Sequence, residues 1–153
     1  MSKPLMVHVI TNFAGVGGAE MMLARLIQYT EHQYEHVIIA LMKTSEVYQS
    51  TLDRCQAHYA LDWNGINTLG TVSKLRTLLK KLQPATVQCW MYHANVLTSL
   101  SVIGLAQKPK VVWGIHHSLA SPKDESISTK IALGLSKILS QQASAIIYCA
   151  HSS

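Results

Sequence analysis

The chain has 153 residues, a formal net charge of +5, 48% hydrophobic and 14% charged side chains. That length suits one domain able to bury roughly 68–70% of its unfolded surface, and the composition excludes an intrinsically disordered chain. The three cysteines, Cys55, Cys89 and Cys149, are widely spaced and form no C-x-x-C pair, which excludes a disulfide framework or a zinc knuckle and fits a reducing cytoplasm.

From the start of the chain, the run Leu5–Thr11 contains His8 and soon meets a glycine-rich turn. It is too short for a secretion signal and reads as a first strand. Further strands are predicted over His36–Met42, Ala57–Leu61, Thr86–Trp90, Lys110–Ile115 and Ala145–Cys149. Most are continuous Val/Ile/Leu-rich runs, the pattern of parallel strands covered by helices on both faces. Between them lie helical stripes at Met22, Leu23, Leu26 and Ile27, at Leu75, Leu78, Leu79 and Leu82, and at Val96, Leu97 and Leu100. A further stripe comprises Ile131, Leu135, Ile138 and Leu139, and a weaker helix is expected over Glu46–Arg54. Each stripe can bury one helix face on a sheet. The alternation defines an α/β chain with a Rossmann-like, doubly wound parallel sheet, residues 1–153 forming one domain. No apolar stretch approaches the ~18 residues of a spanning helix. The positive charge favours anionic partners, but the scattered cations and the lack of a recognisable motif argue against nucleic acid.

In doubly wound sheets, ligands bind beyond the carboxyl ends of the strands, where strand order reverses. Three of those ends carry unusual residues. The first strand leads into Asn12-Phe13-Ala14-Gly15-Val16-Gly17-Gly18-Ala19-Glu20. Glycines here let backbone amides approach a phosphate or sugar at a helix N-terminus, with Gly17 and Gly18 the leading candidates; a tight turn without a ligand is the alternative. A dinucleotide fingerprint would need a third glycine where Glu20 stands, and Met42-Lys43-Thr44 offers no acid for an NAD ribose.

The fourth strand ends in Cys89-Trp90-Met91-Tyr92-His93-Ala94-Asn95. Trp90, Tyr92, His93 and Asn95 are residue types that stack on and hydrogen-bond a sugar, although Trp90 could equally be core and Asn95 a helix cap. The fifth ends in Trp113-Gly114-Ile115-His116-His117-Ser118, which puts His116 and His117 at a strand mouth where an imidazole can donate to a substrate oxygen. Nothing matches a hydrolase elbow, a phosphate loop or a zinc helix, and the eight histidines do not fall at metal-ligand spacings, so no metal is expected.

Taken together, Gly17-Gly18-Ala19-Glu20, Trp90-Met91-Tyr92-His93-Ala94-Asn95 and Trp113-Gly114-Ile115-His116, in this order, resemble glycosyltransferase family 4, and the resemblance extends from Met6 to Ser153. It implies the N-terminal, acceptor-side half of a GT-B enzyme: two Rossmann-like domains that transfer a sugar from a UDP- or GDP-linked donor, with retention and without a cofactor or required metal. It implies that Gly17 and Gly18 face the donor phosphates or the acceptor, that His116 is the catalytic contact to the transferred sugar, and that Glu20, Trp90, Tyr92, His93, Asn95 and His117 line the donor and acceptor sites. Nothing in the chain matches the family's C-terminal donor-binding domain with its spaced glutamate pair, so these residues are expected to be inactive alone. The implied acceptor is a glycan or a lipid-linked glycan of surface polysaccharide or lipopolysaccharide biosynthesis. The alternative is a non-catalytic Rossmann-like binding module. Finally, Ser73–Leu82 places Lys74, Arg76, Lys80 and Lys81 around a leucine stripe, either an ordinary solvated face or a peripheral contact with anionic membrane at the inner leaflet.

Overall fold

The computed structural model describes residues 3–15, 17–106, 109–117 and 145–150, with backbone alone for Tyr92, residues 113–117 and residues 145–150. Six parallel strands form the sheet: β1 (Leu5–Ile10), β2 (Glu35–Ala40), β3 (Ala57–Ala60), β4 (Thr86–Trp90), β5 (Lys110–His117) and β6 (Ala145–Ala150), in the spatial order β3-β2-β1-β4-β5-β6. The helices are α1 (Gly18–Thr30), α2 (Gln49–Asp53, entered through a 3-10 turn at Glu46–Tyr48), α3 (Thr68–Leu82) and α4 (Tyr92–Ser101). The expected Rossmann-like sheet is therefore present, with its reversal of strand order between β1 and β4. The stripe Ile131, Leu135, Ile138 and Leu139 lies outside the described residues, and among the described residues no helix is long and apolar enough to cross a membrane.

Strand periodicity divides the core into two layers. Val7 and Val9 of β1, Val37 and Ile39 of β2, and Val87 and Cys89 of β4 pack against Leu75 and Leu79 of α3 and Ala94 and Leu97 of α4. The alternate residues Ile10, Ile38, Ala40 and Trp90 pack against Ala19, Leu23 and Ile27 of α1 and Leu52 of α2. Leu23 and Ile27 are fully buried, each contributing roughly 1.5–3 kcal/mol relative to exposure. Strands buried on both sides explain why the apolar runs were continuous in sequence.

Several boundaries shift by one residue from the sequence expectation, with β1 ending at Ile10, β2 starting at Glu35, β3 ending at Ala60 and β6 ending at Ala150, and three more differ for reasons the structure shows. The second strand ends at Ala40, yet its pairing continues as Leu41 and Met42 donate to Ile10 and Thr11. β5 runs on to His117, because β6 supplies partners Cys149 and Ala150 for its last two residues. α3 starts at Thr68, five residues before the predicted Ser73. There the side chain of Asn64 accepts from the backbone amides of Ile66 and Asn67, and the Thr71 hydroxyl donates to the carbonyl of Asn67. This local network starts the helix through Gly70 and three β-branched residues, Thr68, Thr71 and Val72, which carry little helical signal of their own.

Candidate functional site

Ile10 pairs with Trp90, and Trp90 with Gly114, so the carboxyl ends of β1, β4 and β5 lie side by side at the strand-order reversal. This brings the glycine turn and the Trp90–Asn95 junction together at one edge. β5 continues three residues beyond its last partner in β4, so the backbone of His116 and His117 projects past the end of β4 at the same edge.

The glycine turn is braced from two sides. Phe13 donates its amide to Lys43 O at 2.9 Å, and its ring stacks on Tyr48 with centroids 4.2 Å apart. The Tyr48 hydroxyl donates to the Gly15 carbonyl at 2.7 Å. Burial, followed by the charge of Glu20, pushes the Tyr48 phenol above its ordinary value and keeps it a donor. Nothing in the sequence around Tyr48 announced this strut. Glu20 is only 8% exposed, and its side chain folds back over Gly17: a Cβ on Gly17 would stand 2.3 Å from Glu20 Oε2. Gly17, the N-cap of α1, has an extended backbone with φ −128°. The Glu20 carboxylate sits at the positive end of the α1 dipole.

The β4–α4 junction is built on strain. Met91 is the N-cap of α4 with φ 78° and ψ 163°, a region almost reserved for glycine that costs about 1–3 kcal/mol. Met91, and not Asn95, therefore occupies the cap: Asn95 lies within α4, fully buried, with neither side-chain polar atom hydrogen-bonded. Thr11 Oγ1, at the end of β1, is also buried without a partner. His93 sits half-buried against Trp63 of the β3–α3 loop, ring centroids 5.1 Å apart, and burial lowers its pKa. Tyr92 opens α4. Replacing Met91 by Gly should relieve more strain than the ~0.5–1 kcal/mol that glycine flexibility costs, raising stability by roughly 1 kcal/mol in urea unfolding. A loss of stability would mean that Met91 is not strained.

Trp90 lies in the interior, 3% exposed, and belongs to a buried chain of hydrogen bonds absent from the sequence reading. Its indole Nε1 donates to His8 Nδ1 at 3.3 Å. Because an indole only donates, His8 carries its proton on Nε2 and donates to His36 Nδ1 at 2.9 Å. His36 Nε2 then donates to Thr30 Oγ1 at 2.9 Å, and that hydroxyl donates to Leu26 O at 2.6 Å. Every step has the same direction, and both imidazoles are neutral. Burial, with His36 adding to it, holds the pKa of His8 down to about 3, and burial lowers that of His36 against the opposing influence of Thr30, Glu35 and Glu31. Burial also raises the Cys55 and Cys89 thiols to about 12, leaving them unreactive.

The sequence model of Glycosyltransferase Family 4 matches residues 16–153, and the chain belongs to that family. Among solved structures, Anabaena Alr3699/HepE in complex with UDP and glucose is similar at 14% identity and a TM-score of 0.64, over 92% of this chain and 37% of HepE. The lipopolysaccharide outer core galactosyltransferase WaaB, in apo form, is similar at 12% identity and a TM-score of 0.63, over 86% of this chain and 37% of WaaB. The chain thus spans little more than a third of these glycosyltransferases. A short-chain dehydrogenase/reductase from Burkholderia vietnamiensis is also similar, with 12% identity and a TM-score of 0.58 over 100% of this chain and 84% of that enzyme. The open parallel sheet is common to both classes, so the fold alone does not separate them. No curated protein matches the chain in sequence.

Proposed function

We propose that this domain is the acceptor-side half of a retaining nucleotide-sugar glycosyltransferase, completed by a second Rossmann-like domain that holds a UDP- or GDP-linked donor. The observation that carries this reading is the family match over residues 16–153, together with the position of the motifs at the strand-order reversal. In the proposed cleft, the N-terminus of α1 and the backbone amides of the glycine turn face the charge that develops on the departing nucleoside diphosphate. The bracing of that turn by Phe13 and Tyr48 fixes those amides before substrate arrives. His116 contacts the transferred sugar, with Tyr92, His93, Asn95 and His117 nearby, and no cofactor or metal takes part. The acceptor is a glycan or a lipid-linked glycan of the surface-polysaccharide type, met at the cytoplasmic face of the membrane through peripheral contact. Family membership supports this enzyme reading over a non-catalytic binding module.

Calorimetry with UDP- and GDP-sugars tests the division of labour. The 153-residue chain should bind them no better than millimolar, about −4 kcal/mol. The same chain joined to a nucleotide-binding GT-B half should bind at micromolar and transfer sugar. In that joined enzyme His116→Ala should lower turnover about a hundredfold or more with an unchanged melting temperature. Micromolar binding by the 153 residues alone would place the donor pocket in this domain and overturn the proposal.

A further inference from the structure

Between β3 and α3 the chain carries Asn64-Gly65, the single place in the sequence where an asparagine precedes a glycine. Both residues are exposed. Gly65 has φ 91°, and a Cβ there would meet nothing within 4 Å, so no side chain shields the backbone that follows Asn64. The surrounding loop is well held. Asn67 Oδ1 accepts from the Asn64 amide at 2.9 Å, the Asn67 amide group donates to the carbonyl of Asp62 at 3.1 Å, and the Thr68 hydroxyl donates to the carbonyl of Gly65 at 2.6 Å. The peptide unit that joins Asn64 to Gly65 is different: among the described residues neither the Asn64 carbonyl nor the Gly65 amide has a hydrogen-bond partner.

The side chain of Asn64 is held in the opposite way. Its Oδ1 accepts two backbone amides, from Ile66 at 3.0 Å and from Asn67 at 3.1 Å, which turn the side-chain carbonyl back over the residues that follow it. Two N–H groups on one carbonyl oxygen polarise its carbon, and they stabilise the oxyanion that forms when a nucleophile adds there. The nitrogen of Gly65, already bonded to the main-chain carbonyl carbon of Asn64, closes a five-membered ring when it reaches Asn64 Cγ. An acceptor carbon activated by fixed donors thus lies beside an amide that no hydrogen bond restrains.

We propose that Asn64 is a site of self-modification in the folded domain. The Gly65 nitrogen gives its proton to solvent hydroxide and forms a bond to Asn64 Cγ. The C–N bond of the side-chain amide breaks, and its nitrogen leaves as ammonia with a proton from water. Water then opens the succinimide. Attack at Cγ leaves an ordinary aspartyl residue, whereas attack at the former main-chain carbonyl leaves an isoaspartyl residue, with the backbone lengthened by one methylene. Both products place a negative charge ahead of α3, where the helix dipole favours it. The aspartyl product keeps an acceptor for the amides of Ile66 and Asn67, but the isoaspartyl product displaces it. The loop that holds Trp63 against His93, at the edge of the candidate site, then loses its anchor. The inference stands independently of sugar transfer.

The 153-residue chain is incubated at neutral and at alkaline pH, folded in buffer and unfolded in guanidinium chloride, with circular dichroism reporting the folded state. Trypsin then releases Cys55–Lys74, which holds both Asn64 and Asn67. Fragmentation mass spectrometry locates the exchange of amide for acid, and labelling by an isoaspartyl methyltransferase reports the isoaspartyl product. The folded chain should convert Asn64 and leave Asn67 intact, at least as fast as the unfolded chain, because the two amide donors exist only in the fold. Conversion should accelerate with pH, since the attacking amide is nucleophilic as its anion. N64Q should leave no isoaspartyl label in this peptide. A folded chain that converts Asn64 more slowly than the unfolded one would show that the fold protects this pair and would overturn the proposal. Label that persists in N64Q would place the reaction elsewhere and overturn it too.

Discussion

Acidification from pH 7 toward pH 3 is expected to remove on the order of 4 kcal/mol of folding stability through one side chain, His8. In the folded domain its pKa is held down to about 3, whereas an unfolded chain protonates it near 6.5. Below pH 6.5 the unfolded state therefore binds a proton that the folded state refuses. The contribution is fully present above that value and is lost progressively until pH 3, where the folded imidazole too would charge. Protonation of Nδ1 would also put a donor where the Trp90 indole already donates, reversing the buried chain of hydrogen bonds. His36, whose pKa is lowered as well, adds in the same direction. Most single domains are stable by 5–15 kcal/mol, so this loss is a large share of the total. Urea unfolding at half-unit steps of pH measures it. His8→Leu should be less stable at pH 7, having left the buried His36 Nδ1 without its donor, but its stability should fall less steeply with acid. Parallel pH curves for the native chain and the variant would remove His8 as the cause.

Why this pair escaped the sequence reading is instructive about what periodicity can and cannot carry. His8 sits in an apolar run and His36 at the start of another, and both were read as members of strands. Their pairing depends on β1 and β2 being adjacent and in a particular register, with His8 opposite Ile38 and His36 opposite Met6. A strand pattern states which residues share a face but not which strands are neighbours. The same gap hid the Tyr48 strut, since the 33 residues that separate it from Gly15 contain no local signal of contact. By contrast, the six strands and the helix stripes at Leu23, Leu75 and Leu97 were legible because burial on a two-layered sheet is written directly into apolar spacing. The glycine turn was legible as a turn, but the folding of the Glu20 side chain, three residues along, back over Gly17 was not. At the other junction the strand ends where expected, at Trp90, and the chain turns at once through Met91. A non-glycine residue in that conformation has no sequence signature, so the capping alternative for Asn95 stayed open beside its reading as a sugar contact, whereas Met91 holds the cap.

Trp90 separates the two readings that its position allowed, a platform for sugar stacking or a part of the core, and the second predicts a large effect on stability. Trp90→Ala deletes a nearly fully buried side chain from the α1 layer, and such truncations cost about 3–5 kcal/mol. Trp90→Phe retains much of the apolar surface but removes the donor to His8, leaving a buried acceptor unsatisfied at about 1–3 kcal/mol. The expected order of stability in urea unfolding is therefore native, then Trp90→Phe, then Trp90→Ala, with the Ala variant close to the limit of folding. The hydrogen-bond part can be isolated, because it exists only while His8 is present. In the His8→Leu background there is no imidazole left unsatisfied, so Trp90→Phe should cost less there than in the native chain, and the difference is the coupling between the two residues. Equal costs in both backgrounds would show that the indole N–H contributes nothing at 3.3 Å. A Trp90→Ala chain as stable as the native one would show that the indole is not core, and would return Trp90 to the sugar site.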